Sequence, residues 1–315
     1  MRTTPHILVI NGTKVRRPVF ILGSPHSGAD RLARAIKRSA GFHLTTGRPG
    51  VLRVTYAFAR RPALSERGLG ATRVLRDAYA EAWQVSARGC AECPAECRTA
   101  AGLRPVPDPD DPEGSGPCAE PRGVYRYADA SPDLIYSADV ILDAFPDAQL
   151  LQVIRDGRDV VADMLRDDRC LAWFKPGLTN LDTVFPNPFL GVEDPAERDR
   201  WPRAATAVKC ALRWRGSVRL SARLRAQTPE DQLLTVRYED MVRRPGRVAR
   251  DISGYLGSTV SKVALTEAGA SGPGQGEERP GTAARTRLTP RQLLQVEKVA
   301  GTELRRLGYR LSDGG

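Results

Sequence analysis

A glycine-rich loop near the start of the chain has the residue types that bind a phosphate or sulfate group. The segment Val19–Ala35 reads VFILGSPHSGADRLARA, in which an apolar run gives way to a small-residue loop over Gly23–Gly28. Helical spacing of Leu32, Ala35 and Ile36 follows the loop. A buried strand, a tight turn and a helix in that order direct backbone N–H groups at one point, where an anion is stabilised. The pattern predicts an anion cradle, although the same arrangement also occurs in α/β proteins that hold no ligand there.

The loop differs from the ATP-binding loop of nucleoside triphosphatases. That loop requires Lys and then Ser or Thr directly after its second glycine, whereas Ala29 and Asp30 follow Gly28 here. The sequence therefore argues against nucleoside triphosphate hydrolysis.

A second group of polar residues stands at the end of another predicted strand. The strand Gln149–Ile154 (QLLQVI) is followed by RDGRD at 155–159 and then by a helical pattern. Because ligands collect at the carboxyl ends of parallel strands, Arg155 can reach the same crevice as the loop. A guanidinium is suited to bidentate contact with phosphate. For Arg158 we expect instead a pairing with the neighbouring aspartates that closes the turn.

The elements that must position these groups alternate between strands and helices. Leu233–Arg237 is a further predicted strand. Helical patterns run over Leu69–Ala87, Asp133–Phe145, Asp159–Leu165, Ala204–Arg225, Gly246–Leu256 and Thr289–Leu307. This alternation predicts βαβ units and a mainly parallel sheet. Lys175–Pro202 is expected to be irregular, and Ser271–Thr282 is rich in Gly and Pro.

Four segments together are more specific than any of them alone. They are GSPHSGADRL (23–32), DASPDLIYSADVILDAFPDAQLLQVIRDGRDVVADML (129–165), LLTVRYEDMVRRPGRVARDISGYLG (233–257) and RLTPRQLLQVEKVAGTELRRLGYRL (287–311). In this order they resemble the 5'-phosphosulfate loop, the 3'-phosphate segment, the RYED stretch and the C-terminal helix of the sulfotransferase superfamily. Members of that superfamily use 3'-phosphoadenosine 5'-phosphosulfate (PAPS). The resemblance covers most of residues 16–311.

The resemblance implies one sulfotransferase-like domain over residues 16–311, with a three-layer α/β/α fold similar to that of P-loop NTPases. It also implies transfer of a sulfuryl group from PAPS to a hydroxyl or amine of a small-molecule or glycan acceptor. Such a transfer runs in line and needs positioning and charge stabilisation rather than a metal. The donor-binding residues that match the family's motifs are Gly23, Ser24, Pro25, His26, Ser27, Gly28, Ala29, Asp30, Arg155, Asp163, Arg237 and Arg287.

Several positions depart from the family's pattern. His26 replaces the loop's usual Arg or Lys, and Ala29-Asp30 replaces its Thr pair. Asp163 stands at the family's serine eight residues after the 3'-phosphate arginine, and Ala130 stands at the lysine of its K-[ST]-P element. A carboxylate ~4 Å from a phosphate oxygen costs about 4 kcal/mol at an effective dielectric of about 20, unless a cation intervenes. We therefore expect weak donor binding, and a catalytically degenerate nucleotide- or anion-binding protein is the alternative function.

The sequence does not identify the base that removes the acceptor's proton. Many relatives place an acidic residue shortly after the loop helix, but His43–Arg61 contains neither Asp nor Glu. Besides His26 in the loop, His43 and Asp129 are catalytic candidates, and each also fits a structural role. Arg48 is a candidate for holding an acidic acceptor or a donor phosphate.

Four cysteines lie in an insertion of different composition. Residues 89–123 are rich in Pro, Gly, Asp and Cys, and a C-x2-C-x3-C-x20-C pattern is formed by Cys90, Cys93, Cys97 and Cys118. In a cytoplasmic chain this spacing favours a structural zinc site over two disulfides. A metal would supply folding energy that a segment with few apolar residues lacks. Free or redox-paired thiols remain the alternative.

The composition of the chain says less about its function than the motifs do. The chain has 315 residues, with 48 Lys and Arg against 37 Asp and Glu, and a formal charge of +11. This charge suits anionic ligands, but aromatic residues do not alternate with the basic clusters as in single-strand binders. We therefore expect no nucleic-acid partner. No apolar run is long enough for a membrane span or a secretory signal, so a cytoplasmic location is expected. The sequence gives no indication of the oligomeric state.

Overall fold

The computed structural model describes residues 7–86, 90, 93–104, 116–260, 262–267 and 287–312, and its centre is a parallel sheet. In chain order the strands are β1 (Val9–Ile10), β2 (Thr13–Lys14), β3 (Val19–Leu22), β4 (Phe42–Thr45), β5 (Arg126–Asp129), β6 (Gln149–Ile154) and β7 (Leu233–Arg237). Strands β1 and β2 form a separate antiparallel pair. The other five lie in the order β4-β5-β3-β6-β7, and all of them run parallel.

Helices cover both faces of this sheet. They are α1 (Ala29–Lys37), α2 (Pro49–Arg60), α3 (Pro62–Ser65), α4 (Leu69–Ala82), α5 (Ala95–Ala100), α6 (Ala138–Ala144), α7 (Gly157–Met164), α8 (Asp168–Ala172), α9 (Pro195–Arg200), α10 (Thr206–Gln227), α11 (Tyr238–Arg243), α12 (Pro245–Leu256), α13 (Lys262–Glu267) and α14 (Pro290–Arg306). Among the described residues, none of these helices is long and apolar enough to cross a membrane.

The central strand β3 shows how the two cores form. Successive side chains of a strand point to opposite faces, and all four residues of β3 are buried. Phe20 and Leu22 join one core with residues of α4, α6, α7 and α10. Val19 and Ile21 join the other core with residues of α1 and α12. The predicted three-layer α/β/α architecture with a mainly parallel sheet is thereby confirmed.

The strand order creates a crevice at one end of the sheet. From β3 the chain moves to β4 and β5 on one side, and it then crosses over to β6 and β7 on the other. Loops that leave neighbouring strands in opposite directions open a gap at the carboxyl ends, where ligands bind in open α/β sheets. Here the gap lies between β3 and β6, and the glycine-rich loop and the segment after Ile154 border it.

The predicted elements agree with the structure where the apolar pattern was strong. Strands β6 and β7 have the predicted bounds, and α10, α12 and α14 begin and end within two residues of prediction. Helix α4 ends at Ala82, before the predicted Ala87, and a 3-10 turn over Leu134–Ser137 precedes α6. The sequence did not predict β4 or β5. The glycine- and proline-rich stretch 271–282 and part of the insertion lie outside the described residues.

Candidate functional site

The glycine-rich loop folds back over the end of β3, and its two outer glycines allow this course. A Cβ at Gly23 would collide with the Ser27 hydroxyl and lie 3.0 Å from the Val153 carbonyl oxygen. Gly28 has a φ of 94°, and a Cβ there would collide with the Tyr238 ring. Glycine adopts this left-handed conformation without the strain that a side chain brings. The loop therefore depends on glycine at both positions.

The loop offers hydrogen-bond donors to an anion. Helix α1 begins after Gly28, and no side chain caps it, so its first backbone N–H groups lack intrahelical partners. Within the loop, the Ser27 N–H donates to the Ser24 carbonyl at 3.1 Å. The Ser27 hydroxyl is buried and has no hydrogen-bond partner among the described residues. These groups are of the kind that holds an oxyanion at a helix N-terminus.

Arg155 reaches this loop from the end of β6. Its Nη1 donates to the His26 carbonyl at 2.9 Å and to Asp163 Oδ2 at 2.7 Å. Its guanidinium lies 4.5 Å from the centre of the Tyr238 ring. Burial alone lowers the pKa of Arg155, but Asp163, Tyr238 and Asp159 together outweigh burial and the pKa is raised. The structure thus brings a permanently charged guanidinium to the predicted loop.

Asp163 bridges two arginines beside the loop. Its Oδ2 accepts from Arg155, and its Oδ1 accepts from Arg287 at 2.5 Å. The three side chains are between 11% and 17% exposed. Asp163 and Arg287 therefore lie with Arg155, as the matching motifs imply. The carboxylate, however, takes up hydrogen bonds that an anionic ligand would otherwise receive.

Asp30 does not crowd the loop in the way that its position in the motif suggests. Its side chain is 68% exposed and pairs with Arg34 one turn further along α1, at 3.1 Å. An exposed charge of this kind is strongly screened by water. Arg34 is the intervening cation that reduces the expected penalty of Asp30, and weak donor binding itself stays a prediction.

His26 has a carboxylate partner that sequence reasoning missed. Its Nε2 lies 3.0 Å from Asp167 Oδ2 and 3.9 Å from Cys170 Sγ. Burial works to raise the pKa of Asp167, but hydrogen bonds from Cys170, the Arg169 backbone and His26 outweigh it and the pKa is lowered. His26 Nε2 therefore donates to an ionised carboxylate. The three side chains of His26, Asp167 and Cys170 each place one possible metal-ligand atom within 4.8 Å of the other two. The hydrogen bond between His26 and Asp167 accounts for this close spacing without a metal.

The RYED segment fastens the site together, a role that the sequence did not reveal. The ring of Tyr238, the first residue of α11, covers Gly28. Glu239 is buried, and its Oε1 accepts from the Asp156 backbone N–H at 3.0 Å and from the Tyr309 hydroxyl at 3.1 Å. Helix α11 therefore links the loop, the segment after β6 and the C-terminal tail.

Two other arginines near the crevice have structural partners. Arg237 Nη1 donates to the Leu307 carbonyl at 2.8 Å, so its guanidinium holds the C-terminal tail. Its expected contact with the donor stays a prediction. Arg158 pairs with Asp156 at 2.7 Å, as predicted, and also with Glu297 at 2.9 Å.

The two catalytic candidates outside the loop are buried structural groups. Asp129 is 0% exposed and accepts hydrogen bonds from the Thr45 hydroxyl at 2.6 Å and the Ser131 N–H at 2.8 Å. Burial raises the pKa of Asp129 to about 6. His43 is 2% exposed, its Nδ1 lies 3.6 Å from Cys118 Sγ, and burial lowers its pKa to about 3. These contacts support the structural role that each residue also fits, and a role as base stays a prediction.

The cysteines of the insertion come together beside the C-terminal end of α1. All four are free thiols, and Cys90 Sγ lies 3.5 Å from Cys118 Sγ. Lys37, the last residue of α1, donates to Cys97 Sγ at 3.1 Å. Arg48 donates to Cys93 Sγ at 3.1 Å, and this contact turns its guanidinium toward the thiols. The expectation that Arg48 holds an acceptor or a phosphate stays a prediction.

Of the comparisons with known proteins, only the one with solved structures found a match. No protein-family model matches the chain, and no curated protein matches it significantly. The sulfotransferase domain of the Synechococcus PCC 7002 olefin synthase is 18% identical with a TM-score of 0.49, over 99% of this chain and 100% of that one. A Mycobacterium avium sulfotransferase is 14% identical with a TM-score of 0.48, over 94% and 78%. The sulfotransferase domain of the curacin biosynthetic pathway is 16% identical with a TM-score of 0.47, over 94% and 100%. The chain is thus similar to several sulfotransferases. Because the identities and TM-scores are low, its function has to be inferred from its own site.

Proposed function

We propose that this protein is a sulfotransferase that moves a sulfuryl group from PAPS to a hydroxyl or amine of a small-molecule or glycan acceptor. The observation that carries the proposal is the contact between Arg155 and the loop, with Nη1 2.9 Å from the His26 carbonyl. This contact sets a fixed cation and the N-terminus of α1 at one crevice, which suits a ligand with two separate anionic groups. The order of the four sequence motifs favours PAPS among such ligands.

In the proposed complex, the two ends of the donor bind to different groups. The 5'-phosphosulfate accepts hydrogen bonds from the loop and from the first turn of α1, where the helix dipole favours negative charge. The 3'-phosphate pairs with Arg155 and Arg287, whose guanidinium groups now hold Asp163. Donor binding therefore has to compete with a carboxylate of the protein itself.

The transfer itself requires the acceptor oxygen or nitrogen to attack sulfur in line with the bridging oxygen. The bond from sulfur to the acceptor forms, the bond to the 5'-phosphate oxygen breaks, and 3',5'-ADP leaves. His26 Nδ1 takes the acceptor's proton, because Nε2 donates to Asp167 and orients the ring. Charge on the moving group is stabilised by the loop N–H groups, which are already fixed before the reaction. Asp167 is a positioning residue in this scheme.

One observation favours the alternative of a catalytically degenerate binding protein. Asp163 already satisfies Arg155 and Arg287 at 2.7 Å and 2.5 Å. A site that has lost its donor could retain its fold by such an internal ion pair. The two functions differ in turnover, whereas both allow an anion to bind the loop.

The proposal is tested by calorimetric binding of 3',5'-ADP and of 5'-AMP. We expect the wild type to prefer 3',5'-ADP, and Arg155→Ala to lose that preference by about tenfold or more, since hydrogen bonds to charged groups contribute about 1.5–3 kcal/mol. Arg250→Ala removes an exposed arginine of α12 and serves as the matched control. Equal affinity for both nucleotides, or an unchanged preference in a folded Arg155→Ala protein, would refute the donor site. Labelled PAPS then separates an enzyme from a binding protein by transfer of the label.

A further inference from the structure

The cysteines of the insertion form a buried cluster of their own. Cys90, Cys93 and Cys97 are 1%, 9% and 0% exposed, and Cys118 packs against them. Among the described residues, this third core cluster contains no other hydrophobic side chain. The described part of the insertion therefore packs around thiols.

The sulfur spacing fits a metal better than it fits a disulfide. Cys90 Sγ and Cys118 Sγ lie 3.5 Å apart, whereas a disulfide bond is about 2.05 Å long. A tetrahedral Zn²⁺ with Zn–S bonds of about 2.3 Å sets its sulfur ligands about 3.8 Å apart. Cys93 and Cys97 are buried in the same cluster as these two cysteines. All four cysteines thus pack together.

The backbone around the cysteines is arranged to present them together. The Cys93 N–H donates to the Cys90 carbonyl at 3.2 Å, which closes the turn between the first two cysteines. Cys97 lies in the first turn of α5, and its N–H donates to the Pro94 carbonyl at 2.9 Å. Arg98 is fully buried, and its Nη1 donates to the Cys90 carbonyl at 3.1 Å. A two-residue turn followed by a helix is a common way to present thiolate ligands to zinc.

Charge around the cluster indicates thiolates rather than neutral thiols. Lys37 and Arg48 are each 8% exposed, and each donates to a cysteine sulfur at 3.1 Å. A buried cation is costly unless it meets negative charge. Four thiolates and one Zn²⁺ carry a net charge of −2, which Lys37 and Arg48 balance.

We propose that Cys90, Cys93, Cys97 and Cys118 bind one Zn²⁺ ion as a structural tetrathiolate site, with Lys37 and Arg48 donating to the ligand sulfurs. The site fastens the insertion to the end of α1 and to the start of α2. His43 lies outside the ligand set and contacts Cys118 through Nδ1 at 3.6 Å. This inference is independent of the proposed sulfotransferase function, because none of these residues contacts the glycine-rich loop.

Metal analysis of the purified wild-type protein is the first test. We expect one zinc per chain, retained through gel filtration, and release of that zinc when a mercurial reagent modifies the thiols. Cys93→Ser should lose the zinc, whereas Cys210→Ser should keep it, because Cys210 is a buried thiol of α10 outside the cluster. A wild-type protein with substoichiometric metal and all six thiols reactive in denaturant, or with a disulfide among the four cysteines by mass spectrometry, would overturn the proposal.

Cobalt substitution of the wild-type protein identifies the ligands even where Cys93→Ser fails to fold. Co²⁺ bound by four thiolates gives intense sulfur-to-metal charge-transfer bands and a tetrahedral d–d envelope. We expect that spectrum in the wild type and also in His43→Ala. A d–d envelope typical of three sulfurs and one nitrogen, or the loss of the spectrum in His43→Ala, would contradict the proposed set of four cysteines.

Discussion

Replacing Asp163 should strengthen donor binding, although the residue lies at the centre of the proposed site. The carboxylate holds Arg155 and Arg287 at 2.7 Å and 2.5 Å, where the 3'-phosphate is proposed to bind. Asp163→Asn removes the charge at constant shape, and Asp163→Ser introduces the residue that the family pattern has there. In both variants the two guanidinium groups are released for the ligand, and the like-charge repulsion is removed.

The magnitude follows from the charges and their exposure. Two unit charges 4 Å apart interact by about 4 kcal/mol at an effective dielectric of about 20. This is an upper bound, because the Asp163 side chain is 17% exposed and salt screens the pair. Half of that value, about 2 kcal/mol, corresponds to roughly thirtyfold in affinity. We therefore expect 3',5'-ADP to bind roughly thirtyfold more tightly to either variant.

The assay is titration calorimetry of 3',5'-ADP at two salt concentrations, with Asp30→Ser as the matched control. Asp30 is 68% exposed on α1, so its removal should change the affinity by less than about twofold. The gain from the Asp163 variants should shrink at the higher salt concentration. Unchanged or weaker binding in Asp163→Asn and Asp163→Ser, with wild-type melting temperatures, would show that the carboxylate positions Arg155 instead of excluding the phosphate.

Three further predictions concern the loop and the buried carboxyl group of the sheet. His26→Asn and Asp167→Asn should each lower kcat by about a hundredfold or more, because the first removes the base and the second removes the group that positions it. The affinity for 3',5'-ADP should change little in either variant. A parallel loss of affinity would contradict the role of His26 as base. Gly28→Ala should unfold at lower temperature and lose 3',5'-ADP binding, since its Cβ meets the Tyr238 ring at a φ of 94°, and wild-type binding would argue against the loop. The pKa of Asp129 is raised to about 6 by burial, so the stability that its protonated form contributes is present below pH 4 and lost as the pH rises through 6. Relative to Asp129→Asn, the wild type should lose about 2 kcal/mol of unfolding free energy between pH 4 and pH 7 in urea titrations, and a constant difference would refute the shift.

The parts of the fold that the sequence predicted are those with continuous apolar patterns. Strand β6 (QLLQVI) reads as a buried central strand, which is typical of a parallel sheet, and its bounds were correct. Strand β4 reads FHLT and β5 reads RYAD, and all eight residues are buried. Several of their polar side chains have tertiary partners, such as Thr45, which donates to Asp129 at 2.6 Å. A pattern of apolar residues does not reveal such tertiary partners.

Some residues of the candidate site were predictable from the sequence, and others were not. The loop and Arg155 were predictable because each directly follows a strand, and parallel strands end at the same edge. Asp167 was not predictable, because it is 141 residues from His26 in the sequence and lies in a turn before the short helix α8. Tyr238 and Glu239 belong to a quoted motif, but only the packing of α11 against the loop gives them a role. Contacts that depend on how elements pack have no signature in local spacing.

The central claim, that the loop and Arg155 form a donor site, is tested most directly by a crystal structure of the protein with 3',5'-ADP. We predict the 5'-phosphate within hydrogen-bond distance of the backbone N–H groups of the loop and of the first turn of α1. The 3'-phosphate is predicted to contact Arg155, with Asp163 moved away from that guanidinium. A nucleotide bound elsewhere, or a saturated crystal in which no phosphate contacts residues 23–30, would contradict the account.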